Sequence, residues 1–309
     1  MAAEGAAGVQ LLRTLREGGH ELVGVFTTTA PDHFRGVTVA QAAHALGCPV
    51  WPGARLKDEG FVRDLTASGV DLLLNVHSLH VLPEGVLAAP RFGAFNLHPG
   101  PLPEYAGLNV VSWALYRGEA RHGVTVHRMV REIDRGPVAY QERFPVSDSD
   151  TAMTVGARCV SIGIGLVKRL AETAAAAPQA IPAIEQDGGA RRYFGRGVPQ
   201  GGRVDWASPA RDIVNFVRAC DYGPFPSPWG KPEASLGPRV VALHRVSLTG
   251  ERAASPPGSL GRGAGNKVLV ATGDEWVRVD RAVGAPNVGL APSPTAKTEG
   301  QWVPVMPRS

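Results

Sequence analysis

Residues 70–76, VDLLLNV, form a near-continuous apolar run that is too short for an ordinary core helix and far too short to span a membrane. Such a run suits a strand covered on both faces, as parallel strands between helical layers are. The flanking segments fit that role. Helical spacing of apolar residues over 9–16, 39–46 and 61–66 alternates with strand-like stretches at 21–27, 93–96, 123–129 and 137–142, and an alanine-rich segment at 151–174 reads as a long helix. The alternation predicts an α/β domain with a mostly parallel sheet over residues 1–187.

A Gly/Pro/Arg-rich stretch, QDGGARRYFGRGVPQGGR, then breaks both periodicities, so residues 188–204 read as a linker. Beyond it, ARDIVNFVRAC has the spacing of one helix, and RVVALHRVSL and NKVLVATGDEWVRVDRAV are short strands with glycine-containing turns. Residues 205–309 are therefore expected to form a small antiparallel barrel of the OB-like kind. The start of the chain is unusual. A doubly wound domain opens with a buried strand whose loop meets the ligand, whereas MAAEGAAG leads straight into the first helix. The first strand is expected to be absent, either cut off or lacking in a variant sheet.

The chain has 309 residues, 44% of them hydrophobic and 19% charged, and a formal charge of +4, which excludes the dense basic stripe of a dedicated nucleic-acid binder. The N-terminus lacks the pattern of a secretory signal, and no apolar run reaches membrane-spanning length. Cys48, Cys159 and Cys220 are scattered and odd in number, which favours a reducing, cytoplasmic setting. No histidine or cysteine set has metal-ligand spacing, and no P-loop is present.

The chemistry concentrates in FNLHPGPLPEYAGLN, residues 95–109. Alternate residues of a strand share a face, so Asn96 and His98 project together from its C-terminal end, where open α/β sheets bind ligands. Pro99, Pro101 and Pro103 remove ladder donors and end the pairing. Further on, GVTVHRMVREIDRGPVAYQ places Asp134 in a turn between two strands. Either element alone is more often structural than catalytic.

Together they resemble the 10-formyltetrahydrofolate-dependent formyltransferases. The match runs through Asn96, His98 and Pro99; Leu102, Pro103 and Gly107; Trp113 and Gly118; Thr125 and His127; and Asp134 and Gly136. GRVDWASPARDIVNFVRA resembles, more loosely, the C-terminal module of the methionyl-tRNA and sugar enzymes. The resemblance implies a Rossmann-like catalytic domain, one-carbon group transfer with 10-formyltetrahydrofolate as donor, and no metal. It implies catalytic roles for Asn96, His98 and Asp134, and a cis Leu102–Pro103 peptide. Leu79, His80, Val81 and Leu82, with Ile133 and Gly136, would line the folate slot, although plain core packing explains the leucines equally well. Gly107, Leu108, Arg192 and Tyr193 are the candidates for the acceptor side. One departure is Gly100, where the family usually carries serine.

In such a reaction an amine attacks a formamide, and Asn96 and His98 would serve the resulting oxyanion and the moving proton. The expected acceptor is a primary or hydroxyl amine of a small metabolite, an amino sugar, or an amino acid bound to a carrier protein. Methionyl-tRNA is the alternative, disfavoured because the basic insertion typical of those enzymes is missing after the second strand. A formyltetrahydrofolate hydrolase is a further alternative, as is a nucleic-acid role for the barrel, which has few aromatic residues to stack bases.

Overall fold

The structure, a computed structural model, describes residues 1–27, 36–78 and 80–284. Leu79 and the last 25 residues of the expected barrel domain lie outside them. Contacts within the chain divide it into two compact units, the first built from residues 1–110, 121–145 and 156–194, the second from 111–120, 146–155 and 195–309.

In chain order the elements leading to the sheet centre are β1 (Ala2–Ala3), α1 (Gly5–Glu17), β2 (Val25–Phe26), α2 (Val39–Ala45), β3 (Val50–Trp51), α3 (Glu59–Ala67), β4 (Leu72–Val76), α4 (Glu84–Ala88) and β5 (Gly93–His98). There follow β6 (Ala106–Gly107), α5 (Val110–Tyr116), β7 (Arg121–Arg128), β8 (Val138–Pro145), α6 (Ala152–Ala176) and β9 (Tyr193–Phe194). Seven strands form one sheet in the order β3-β2-β1-β4-β5-β7-β8. The first five pair in parallel, and β7 and β8 continue the sheet antiparallel. The parallel region is Rossmann-like, as the sequence pattern predicts.

A strand does precede the first helix, contrary to the sequence expectation. Ala2–Ala3 pairs with β2 on one side and β4 on the other, both alanines fully buried. The Met1 amine donates to the Gly24 carbonyl at 2.8 Å, and burial lowers its pKa to about 6. Alternation along two residues gives no periodic signal, so this strand was invisible to pattern reading. The helix that follows comes close enough to need a glycine: a Cβ on Gly8 would sit 2.8 Å from Val39 Cγ2 and 2.9 Å from Ala3 Cβ. The next strand is also shorter than its apolar run suggests, spanning only Val25–Phe26 of residues 21–27. Beneath this edge Phe26, Trp51 and Phe61 meet with ring centroids 5.2 Å apart, in tilted and edge-on arrangements that aromatic quadrupoles favour.

The stretch 188–204 is not bare tether. Within it β9 pairs in parallel with β6, Tyr193 opposite Ala106 and Phe194 opposite Gly107.

In the second unit α7 (Ala210–Ala219) packs on β10 (Glu233–Leu236), β11 (Arg239–Arg252), β12 (Leu260–Gly263), β13 (Lys267–Ala271) and β14 (Glu275–Gly284). The strands form one antiparallel sheet in the order β10-β11-β14-β13-β12. β11 carries register shifts that bend it, the usual device for curling a sheet toward a barrel. Ile213 and Val217 of α7 meet Val241, Leu243, Val246 and Val277 in the core, and Asp274 accepts the Ala210 N–H at 2.8 Å to cap the helix.

Candidate active site

The loop after β5 has a donor problem. Pro99, Pro101 and Pro103 have no N–H, yet the loop still carries a carbonyl at every residue and is largely buried. Donors from other segments and from the loop itself satisfy these carbonyls. His122 Nε2 donates to Pro99 O at 2.8 Å, Thr125 Oγ1 to Gly100 O at 2.7 Å, and Gln141 Nε2 to Leu102 O at 2.8 Å. The Tyr105 N–H serves Pro101 O at 3.0 Å, and the Arg192 N–H serves Pro103 O at 3.3 Å. The last partner is His98 itself, whose Nε2 donates to Tyr105 O at 2.6 Å. The Leu102–Pro103 peptide is cis.

That final bond defines the chemistry open to His98. With Nε2–H committed to a carbonyl, Nδ1 is the free nitrogen, and it faces Asp134 Oδ2 at 3.7 Å. Burial lowers the His98 pKa, the Asp134 charge opposing it, so the ring is neutral with an open lone pair on Nδ1.

Asp134 is held from several sides in a left-handed conformation with φ of 55°. Its Oδ2 accepts the Gly107 N–H at 2.8 Å, and Gln186 Nε2 donates to its carbonyl at 3.0 Å and to that of Gly136 at 2.7 Å. Burial works against the charge, but the imidazoles of His127 and His98 and the Gly107 N–H outweigh it and hold the carboxyl at about 2. It is ionised throughout the neutral range.

Asn96 is linked to this pair through His127. Asn96 Nδ2 lies 3.2 Å from His127 Nε2, and Asp134 Oδ1 lies 3.4 Å from the same nitrogen. A ring nitrogen cannot accept from one and donate to the other at once, so the neutral ring takes the Asn96 hydrogen and a protonated ring gives its own to Asp134. His98, His127 and Asp134 are buried, while Asn96 keeps partial exposure at the strand end. His77 lies near them with φ of 54°, and desolvation of its ring lowers its pKa.

Thus Asn96, His98, Asp134 and the Gly107 backbone come together. The other sequence candidates scatter more widely. Val81 is 83% exposed and Ile133 54% exposed, whereas Leu82 packs in the core with Ala2 and Phe26. The His80 ring covers Gly53, where a Cβ would lie 2.2 Å from it, and Gly136 runs close against the Arg128 carbonyl. Leu108 donates its N–H to Phe194 O at 2.7 Å and leaves its side chain exposed. Arg192 contributes backbone bonds to Pro103 and Ala106, and exposed Tyr193 lies under Arg191 at 5.3 Å. Asn75 and Gln186 were not anticipated. The signal for Asn75 was present as the one polar residue inside the apolar LLLNV strand. Among the described residues no group of three His, Cys, Asp or Glu side chains could hold a metal ion.

The family model described as formyl transferase matches residues 1–167, and that described as formyl transferase, C-terminal domain, matches residues 198–285. The chain belongs to the formyltransferase family. It is a one-carbon transferase. It is 31% identical over 283 residues to the methionyl-tRNA formyltransferase of Parabacteroides distasonis, covering 88% of this chain and 86% of that one. The methionyl-tRNA formyltransferase of Phenylobacterium zucineum is likewise 31% identical over 280 residues, covering 88% and 87%. Among solved structures, the N-formyltransferase from Helicobacter canadensis, in complex with folinic acid and dTDP-3-aminofucose, shares the fold with a TM-score of 0.67 at 15% identity, covering 90% of this chain and 97% of that one.

Proposed function

We propose that this formyltransferase moves the formyl group of 10-formyltetrahydrofolate to a primary or hydroxyl amine of a small metabolite, amino sugar or carrier-bound amino acid, with Asn96, His98 and Asp134 as its catalytic residues. The observation that carries this reading is the buried cluster at the end of β5, where an ionised carboxylate faces the open nitrogen of a neutral imidazole. The solved relative in complex with folinic acid supports a folate donor. The donor supplies an activated formamide carbon. The Asn96 amide offers an N–H to the oxygen that becomes negative on attack, which requires no titration. His98 Nδ1 takes the proton from the attacking amine, and Asp134 stabilises the imidazolium until the proton passes to the leaving nitrogen. Exposed Val81 and Ile133 offer apolar surface for the pterin ring.

A second reading has methionyl-tRNA as acceptor, and the 31% identity to methionyl-tRNA formyltransferases favours it. The test is a screen with 10-formyltetrahydrofolate against methionyl-tRNA, dTDP-amino sugars, hydroxyornithine and carrier-bound amino acids, following tetrahydrofolate release. Turnover with tRNA alone selects the second reading. Undiminished turnover by His98→Ala would sink the assignment of the site.

A further inference from the structure

Asn75, Asn96 and His127 occupy one register across three adjacent strands: Asn75 of β4 pairs with Asn96 of β5, which pairs with His127 of β7. Residues at one register on neighbouring strands share a face, so their side chains form a row. The row has a direction. Asn75 Nδ2 donates to Asn96 Oδ1 at 2.9 Å, and Asn96 Nδ2 in turn reaches His127 Nε2 at 3.2 Å. His127 Nδ1 lies 2.9 Å from the Arg128 carbonyl and so carries the hydrogen there, which leaves Nε2 of the neutral ring as an acceptor.

The two ends of an amide are alike in shape and opposite in hydrogen-bonding character. For a group that must stabilise an oxyanion, the wrong end would repel the charge it is meant to hold. Here the oxygen of Asn96 is occupied by Asn75 and one hydrogen by His127, so the second hydrogen is the one left for a ligand. His127 can hold this orientation only while its ring is neutral, because a proton on Nε2 would be given to Asp134, whose Oδ1 lies 3.4 Å away. The donation from Asn75 is independent of that ring's charge.

The strand itself argues that this amide has a task. Asn75 interrupts LLLNV, and its own Oδ1 is buried without a hydrogen-bond partner. An orphaned buried acceptor is unfavourable, and an apolar residue at this position would avoid it.

We propose that Asn75 is a positioning residue for formyl transfer: it fixes the Asn96 amide so that N–H, and not C=O, faces the reacting carbonyl. The inference rests on the reading of Asn96 as an oxyanion donor, and its test separates the two.

Asn75→Leu, which suits an apolar strand, removes the donor; Asn75→Asp replaces it with an acceptor and should turn the Asn96 amide over. With 10-formyltetrahydrofolate and the acceptor returned by the screen, both variants should lose about tenfold or more in kcat, with KM for the donor little changed. In a double-mutant cycle Asn75→Leu should cost nothing further once Asn96→Ala is present. An equal loss in both backgrounds would show that Asn75 acts elsewhere and would overturn the proposal. Wild-type turnover by Asn96→Ala would instead remove the reading beneath it.

Discussion

Nε2 of His98 is committed to the carbonyl of Tyr105 at 2.6 Å, so Nδ1, turned toward Asp134, is the nitrogen left for proton transfer. The Asp134 charge should therefore matter more than its shape. Asp134→Asn keeps an oxygen for the Gly107 N–H but removes the charge that favours the imidazolium. Its kcat should fall by about a hundredfold, with the folate KM changed far less, as steady-state kinetics at pH 7 would show.

Gly100 lies under the same ring. A Cβ there would sit 2.7 Å from the Tyr105 carbonyl and 2.9 Å from His98 Nε2, the two atoms whose bond orients the imidazole. Restoring the serine usual in the family should thus harm this chain. Gly100→Ser is expected to lose about tenfold or more in kcat while keeping a wild-type circular dichroism spectrum. Full activity would show that the loop yields without disturbing His98.

Acid should weaken the fold through His122. Burial is the leading cause that lowers its pKa to about 4, against the help of its bond to Pro99. Below pH 6.5 the unfolded chain binds a proton that the folded chain refuses, so stability falls as pH drops from 6.5 and levels off near 4. The loss is about 3 kcal/mol. Urea titrations across that window should show it, and His122→Gln, which keeps a donor but does not titrate, should flatten the slope.

The second unit offers a packing test. Leu243 is fully buried between α7 and the sheet, and Leu243→Ala should cost about 2–5 kcal/mol in urea unfolding.

Much of this was legible from residue patterns, and the failures have physical causes. The long apolar run and the alternation of periods gave the parallel sheet, because β4 and β5 are buried on both faces. Asn96 and His98 were readable because a strand's two-residue period fixes their common face. Ala2–Ala3 was missed because two residues carry no period. Asn75 was missed for a different reason: its importance depends on which residues stand beside it in the sheet, and register between strands 21 residues apart is a tertiary fact. The catalytic role of Asp134 came from resemblance. Its left-handed backbone and its Gly107 partner required the structure.

The proline loop has a last consequence. Its shape is maintained largely by atoms on β7, β8 and the segment after residue 190, which lie far from it in the chain. NLHPGPLPEY transplanted into another scaffold would keep its letters and lose its form. For the same reason, tolerance to substitution at His122, Thr125 or Gln141 should be written in the turnover number, although none of the three is assigned a part in the reaction.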